Sequence, residues 1–588
     1  MTNFKLSFLL FICFHLAFDI HSIAQNDDSI VFRAIEDEIK RNMNNLEYRD
    51  FEKPCYINFK IINHFDYLIN AELGSLFQVD SMKSRGWSNR LIVGNYKLND
   101  ENFSYPYAGE KRGVGELAEV FPIEGSDYWG LRRSMWMKLN DIYLTAGESH
   151  RQKLKLIDEG KIKENDLILD DFTPSEQVEL FVERKSVKFG IDKLTELVKK
   201  LSRTYYEFID FLDYSTASLQ YSKNDIYFLD SEGSRYKLPK DILSLTVKIE
   251  KKQNTNKLIE RELTLIAEAP DQLPDYGLIQ KDITKLVEDF KRYEKAKDLN
   301  QNYSGPVLLL GRVAAETLLD NLFNSNHSLT AERNRLVLDY EGNVFFEEIQ
   351  NDWQSKVGTR ILPDSLDIRV LPTLKSFNNT RLLGSYPIDA EGIIPPDSLS
   401  LVEDGILKSM LSSRTPTSVS KASNGHASHY FYNGRISSSK GPSVVRVQAN
   451  ISTEQDSLKQ IFINFAKAEG YQYAYIIKSI PSGISIMPYN IYSIDLKTGE
   501  EQPIKNAMLN SEISASNMRK LILSNDTMVI NTLMNSDYFN RSQSTGQPVS
   551  YIGPSAIFVE EMSISSIKEN TKLHTAEDYI SNPLKRKQ

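Results

Sequence analysis

The chain of 588 residues is 41% hydrophobic and 25% charged, with a formal net charge of -9. This length is too great for one ordinary core and predicts two domains, and the composition excludes disordered, collagen-like and repeat-array classes. The mildly acidic balance, without a basic stripe interleaved with aromatics, argues against nucleic acid as a partner.

The first element reads as a leader. Lys5 supplies a positive charge, Leu6 to Phe14 is almost wholly apolar, and Ser22-Ile23-Ala24 places small residues before Gln25. This is the pattern of a cleaved export signal over residues 1–24. His15 and Asp19 interrupt the apolar run well short of the roughly 20 residues that a bilayer span needs. The expectation is an exported protein, periplasmic or secreted, with no membrane span once the leader is removed. Cleavage also takes Cys13 and leaves Cys55 as the one thiol, so no internal disulfide is available. Within Cys55-Tyr56-Ile57-Asn58-Phe59 that cysteine reads as a buried small residue rather than a nucleophile.

Residues 25–300 read as an N-terminal domain of mixed helix and strand. Ile35, Ile39, Met43 and Leu46 recur at helical spacing and predict a helix over Ser29 to Leu46. Tyr56–Ile62 and Leu91–Tyr96 read as strands. A long helix is predicted from Asp127 to Ile157 on the stripe Leu131, Met135, Leu139, Ile142 and Ala146, with Gly160 just beyond it. Thr173-Pro174-Ser175-Glu176 has the residues of a capped helix start, for a helix carrying Leu194, Leu197, Val198 and Leu201. Asp225–Leu229 and Leu243–Ile249 read as strands on either side of a loop containing Gly233. Ile279, Ile283, Leu286, Val287 and Phe290 give one more helix. The polar stretch Lys295 to Ser304 is the predicted domain boundary.

Over residues 301–570 the character changes. Pro306 to Leu310 is a short buried strand, Gly311 a turn, and Val313 to Phe323 a helix. Strand-like runs then dominate, at Arg335–Tyr340, Val344–Ile349, Leu399–Val402, Val444–Val447, Ala474–Ile477 and Ser555–Glu560, and predict an antiparallel, β-rich domain. Residues 571–588 form a polar tail ending in Lys585-Arg586-Lys587.

The familiar catalytic signatures are absent: no H-E-x-x-H, no cysteine pair, no G-x-S-x-G, no Walker loop, no G-x-G-x-x-G. The candidate site residues that remain are His426, His429 and Asp389. His426-Ala427-Ser428-His429 is the close histidine pair, but on a strand residues three apart face opposite sides and bridge one metal poorly. Loop or hydrogen-bonding roles suit it better. Asp389-Ala390-Glu391-Gly392 reads as an acidic turn closed by glycine. His327 and Glu332 fall in a polar connection after a helix.

Several segments in order resemble the TldD/PmbA metallopeptidase family over most of residues 305–565. Gly305 to Ala315 resembles the strand and helix that open the family's C-terminal domain, and Ile361-Leu362-Pro363-Asp364 matches a run of its PmbA branch. Ser385 to Gly392, Leu401-Val402-Glu403-Asp404-Gly405-Ile406-Leu407-Lys408, Ser423-Asn424-Gly425-His426-Ala427 and Pro554 to Met562 resemble its later turn, strand pair, loop and closing strand. Tyr128 to Trp136 resembles a segment of the exported, TldD-related branch. The resemblance implies an α/β N-terminal domain followed by a curved, barrel-like antiparallel β domain, an α+β chain overall. It also implies dimers that enclose a site in which active members cut unfolded peptides with zinc. Those members carry H-E-x-x-x-H on the helix after the first strand and a cysteine near the end. Here the three helix positions fall at Leu319, Asp320 and Asn324, and no cysteine follows Cys55. Zinc hydrolysis needs three protein ligands and an open water position. Thr317-Leu318-Leu319-Asp320-Asn321-Leu322 fits the metal-free branch, which partners an active subunit.

The sequence therefore predicts an exported, non-catalytic family member without a cofactor. It would bind unfolded peptides, or support a partner, as a homodimer or as a heterodimer with a TldD-like sister subunit. Two alternatives are an active metallopeptidase with a rearranged metal site drawing on Asp320, His426, His429 or Asp389, and an envelope protein that keeps only the fold.

Overall fold

The structure, a computed structural model, describes residues 28–106, 119–121, 127–184, 190–252, 258–347, 351–432, 434–450, 453–478, 490–534 and 545–567. The predicted leader and the polar tail lie outside the described residues. Among the described residues no helix is long and apolar enough to cross a membrane.

Two 19-residue strands, β1 (Pro54–Glu72) and β2 (Ser75–Val93), pair as one antiparallel hairpin. β1 pairs on its other side with β3 (Tyr214–Asp230), which runs back through Gly233 into β4 (Arg235–Lys252) and then β5 (Leu258–Ala267). Short strands at Glu119–Phe121 and Glu179–Phe181 add to β2 and β4. The hairpin is far longer than the sequence runs Tyr56–Ile62 and Leu91–Tyr96. Only Tyr56–Ile62 is buried on both faces; beyond it β1 alternates, with polar residues such as His64 and Asp66 inside the strand. A half-buried polar alternation gives no apolar run to find.

Helix α1 (residues 28–45) and helix α2 (Tyr128–Asp158) cover one part of the sheet. Asp127 caps α2 by accepting from the Trp129 and Gly130 amides. The predicted stripe Leu131, Met135 and Leu139 packs with Val31 and Ile35 on Ile57, Phe59 and Trp87. The sheet's other part is covered by α3 (Ile191–Leu201) and α4 (Tyr276–Glu294), whose Leu194, Val198, Ile279 and Ile283 meet Ile69, Leu219 and Leu245. Cys55 lies half-buried beside Tyr56, Ile92 and Phe172, and burial pushes its thiol up to about 12, which leaves it inert at neutral pH.

The predicted helix start at Thr173-Pro174-Ser175-Glu176 is not one: residues 173–178 form no regular element, and α3 begins at Ile191 after Gly190. Thr173 is engaged elsewhere. Its amide and hydroxyl both donate to Arg414 O at 3.0 Å, and its carbonyl accepts from the Arg414 guanidinium. A tertiary contact 241 residues away overrides the local capping pattern.

In the C-terminal part, β6 (Tyr303–Leu310) lies between Ala556–Ser566, antiparallel, and Tyr473–Lys478, parallel. This sheet is therefore mixed rather than wholly antiparallel. The parallel neighbour needs a crossover. One helix of it, Gln455–Ala468, packs Leu458 and Phe462 over Leu308, Ile476 and Phe558. Val307 and Leu309 enter the core on the opposite side of the sheet, so β6 is apolar on both faces and reads as an unbroken apolar segment. A second sheet runs Leu399–Glu403, Leu366–Val370, Val444–Ala449, Gln547–Gly553, Met528–Met534. The two sheets enclose one core that includes Leu309, Ile368, Val402, Val445 and Tyr551, giving the nearly closed, barrel-like arrangement of an α+β chain.

Candidate functional site

β6 ends at Leu310, and Gly311 (φ 76°) turns the chain directly into α5 (Arg312–Phe323). The Gly311 amide donates to Ser555 O at 2.6 Å, which fastens the turn beside the strand antiparallel to β6. Leu318 and Leu322 of α5 are fully buried in the core. Glu316, Leu319, Asp320 and Asn324 line a cavity of about 490 Å³, whose other walls include residues 510–512 and 532–534.

The walls are held by α5 itself. Buried Asn321 donates to Thr317 O at 2.8 Å and to Ser511 O at 2.7 Å, and its side-chain oxygen accepts from the Ile513 amide at 2.7 Å. One amide thus clamps the 510–513 segment to the helix. Arg312 does the same for Met528–Met534: it donates to Glu316 at 2.8 Å and to Asn531 O at 2.9 Å, while the Thr532 hydroxyl donates to Glu316 at 3.3 Å. What faces the cavity is mostly amide, hydroxyl and carboxylate, groups that hydrogen-bond a peptide main chain.

Of the four sequence candidates, Asp320 alone lines this cavity, accepting from the Asn324 amide group at 3.2 Å. The other three lie elsewhere, near the junction with the N-terminal sheet. Asp389 is buried and accepts from the Glu391, Ile393 and Ala427 amides, so it holds a turn to the strand Ala427–Tyr432. Burial, with the charge of Glu391 beside it, pushes Asp389 up to about 7. His426 has Nδ1 at 2.9 Å from Asn424 O, and burial lowers it to about 4. His429 has Nε2 3.3 Å from the Tyr236 hydroxyl and is held well below the ordinary histidine range by burial, with Lys60 and Lys240 adding to it. The two rings share no partner, as their spacing on a strand predicts. His327 lies against Trp353, ring centroids 4.9 Å apart, and Glu332 pairs with Lys440 at 2.7 Å.

Two arginines that join the halves of the chain are not visible from the sequence. Arg90 donates to both oxygens of Glu101 at 2.6 Å and to Glu391 at 2.7 Å. Arg414 lies over the adjoining rings of Phe172 and Tyr56 and donates to Glu232 at 2.7 Å. Neither belongs to a local pattern: Arg90 reaches Glu391 across 301 residues and Arg414 reaches Glu232 across 182.

A family profile, that of the PmbA/TldA metallopeptidase C-terminal domain, matches residues 306–566. Residues 306–566 thus match the C-terminal domain of the TldD/PmbA family. Three solved structures share the fold at 12% identity each. A protein described as a candidate modulator of DNA gyrase from Bacteroides thetaiotaomicron aligns with TM-score 0.52, over 92% of this chain and 98% of that one. TldE from Thermococcus kodakarensis aligns with TM-score 0.51, over 91% and 100%. A second candidate gyrase modulator, from Thermotoga maritima, aligns with TM-score 0.50, over 87% and 96%. At this identity the alignments show the fold alone, and they carry it across the N-terminal half as well. No curated protein sequence matches the chain.

Zinc, the TldD/PmbA metal, does not fit the residues present on α5. Leu319 is apolar and 1% exposed, and the Asn324 amide group is already donated to Asp320. Among the described residues no three His, Cys, Asp or Glu side chains converge as a donor set. These side chains offer a peptide hydrogen-bond partners and do not assemble the three ligands that zinc hydrolysis requires.

Proposed function

We propose that the chain is an exported, non-catalytic TldD/PmbA-family subunit that holds extended, unfolded peptide segments in the cavity over α5. It works as a dimer, with a second copy or with a TldD-like sister. The observation that carries the reading is the cavity itself: it keeps a polar lining suited to main-chain hydrogen bonds, while the family's ligand positions are Leu319, Asp320 and Asn324. A closed point-group assembly is the usual state of a soluble oligomer, and a homodimer is its commonest form. Export rests on the leader pattern of residues 1–24. N-terminal sequencing of the processed chain is expected to start at Gln25; a start at Met1 removes export from the reading.

The test of function uses dialysed protein and fluorescein-labelled fragments of reduced casein. Anisotropy is expected to show binding, mass spectrometry intact fragments, and elemental analysis zinc far below stoichiometric. Asn324 is exposed, so Asn324→Trp can intrude on the cavity without disturbing the core and is expected to weaken binding about ten-fold, or ~1.4 kcal/mol. Cleaved fragments with stoichiometric zinc would establish the active metallopeptidase instead. Absence of binding would leave a protein that kept only the fold.

A further inference from the structure

The junction between the two halves of the chain is built from buried ionic groups whose charges do not balance. Arg90 meets Glu101 of its own domain and Glu391 of the other. Arg414 meets Glu232, with Asp230 at 3.8 Å. Asp389 lies two residues from Glu391 and accepts backbone amides, with no cation hydrogen-bonded to it among the described residues. Four carboxylates thus meet two guanidinium groups, with Asp389 as a fifth anion beside Glu391, and apart from Glu232, at 14% side-chain exposure, all of these side chains are nearly inaccessible. The neighbouring set does not correct this: Asp171 holds Lys153 at 2.5 Å and Arg333 at 3.0 Å, and Asp100 lies buried beside them. The neutral groups facing the cluster are the Tyr56 hydroxyl, 3.4 Å from Asp230, the Tyr96 hydroxyl, 2.6 Å from Glu232, and Tyr386 near Asp389. His426 points away to Asn424.

Unbalanced anions in a site closed to water are relieved by binding protons. We infer that this junction is a proton-linked clasp, closed while Asp230 and Asp389 hold protons and loosened when both ionise. The local environments agree. Burial, with the charge of Glu232 beside it, outweighs Arg414 and the amides of Ser234 and Glu232 and pushes Asp230 up to about 6, and Asp389 stands at about 7. The sign follows from linkage. Unfolded aspartate titrates near pH ~3.9, so an aspartate raised on folding stabilises fully below that value. Its contribution is lost as pH rises through the folded value, here from about 4 to about 7. Alkaline conditions open the clasp and acid tightens it.

The experiment is hydrogen exchange on the full chain across roughly pH 5.5 to 8.5, a range that brackets both folded values, corrected for intrinsic rates, with urea unfolding at the same pH values. The peptide containing Thr173, whose amide donates to Arg414 O across the junction, reports locally. Its protection and the urea midpoint are expected to fall together as pH rises. Asp389→Asn and Asp230→Asn, made separately because either one could fold poorly, are each expected to remove a large part of that fall. A junction whose protection is flat or increases with pH overturns the inference. So does a fall that survives unchanged in whichever variant folds. Peptide binding at the cavity is not part of this readout, so failure of one reading leaves the other standing.

Discussion

Arg414→Ala is expected to destabilise the protein by about 3–5 kcal/mol, the usual cost of leaving buried partners without their charge. The side chain is fully buried, and its loss strands several groups at once. The Thr173 carbonyl loses donors at 2.6 and 2.9 Å, Glu232 loses its cation, and Asp230 loses the guanidinium beside it. The adjoining rings of Phe172 and Tyr56, with centroids 4.2 and 4.7 Å from the guanidinium, lose the cation over them. Against a typical total stability of ~5–15 kcal/mol this is a large share. Arg414→Lys is expected to recover only part, because a single ammonium cannot reach the Thr173 carbonyl and Glu232 in the same fork geometry. Urea unfolding followed by circular dichroism measures both. A change below ~1 kcal/mol for Arg414→Ala would show that the junction contributes little to stability.

Leu318→Asp is expected to have an effect of similar or greater size and to prevent accumulation of soluble protein. Leu318 is fully buried on the side of α5 that meets the core of the C-terminal sheets. Removing a buried leucine side chain costs roughly 2–5 kcal/mol, and an unpaired carboxylate in its place adds several more or forces the site to stay protonated. Leu318→Met, which conserves volume, is expected to cost under about 1.5 kcal/mol. The contrast separates packing from chemistry, since neither substitution touches a group that faces the cavity. Soluble yield and thermal unfolding of the two variants side by side check it. Equal behaviour would mean that α5 is not held by this contact.

What the sequence showed, it showed through local periodicity. α2 and α4 carry apolar stripes along one face, and the limits of α2 are legible to within a residue. β6 and α5 are legible for the same reason, and because Gly311 marks the turn between them. The outer half of the β1–β2 hairpin is not, because its polar and apolar residues are interspersed, with His64 and Asp66 buried and Leu76, Phe77 and Val79 exposed, and the pairing with β3 holds it as a strand. The cavity was half legible. Placing the family's ligand positions on α5 leads to Leu319, Asp320 and Asn324, all of which line it, whereas its far walls come from residues 510–512 and 532–534. Asn321 and Arg312, which hold those walls, have ordinary helix neighbours and no motif. His426, His429 and Asp389 drew notice as chemically rich residues, yet each is occupied with backbone or ring partners inside the junction.

The order of β6 among its neighbours has a bearing on how the protein is made. β6 is laid down by Leu310, but one flanking strand ends at Lys478 and the other begins at Ala556. The Arg90 contact to Glu391 likewise spans 301 residues. A ribosome adding residues one at a time leaves β6, with Leu308 and Leu309 bare, for most of the synthesis of the second half. Closing such distant pairs is slow, and the waiting segment is exposed to aggregation. The long strands of the N-terminal sheet all lie before residue 268, so that sheet can assemble early. The second half completes its sheet only when its last strands arrive.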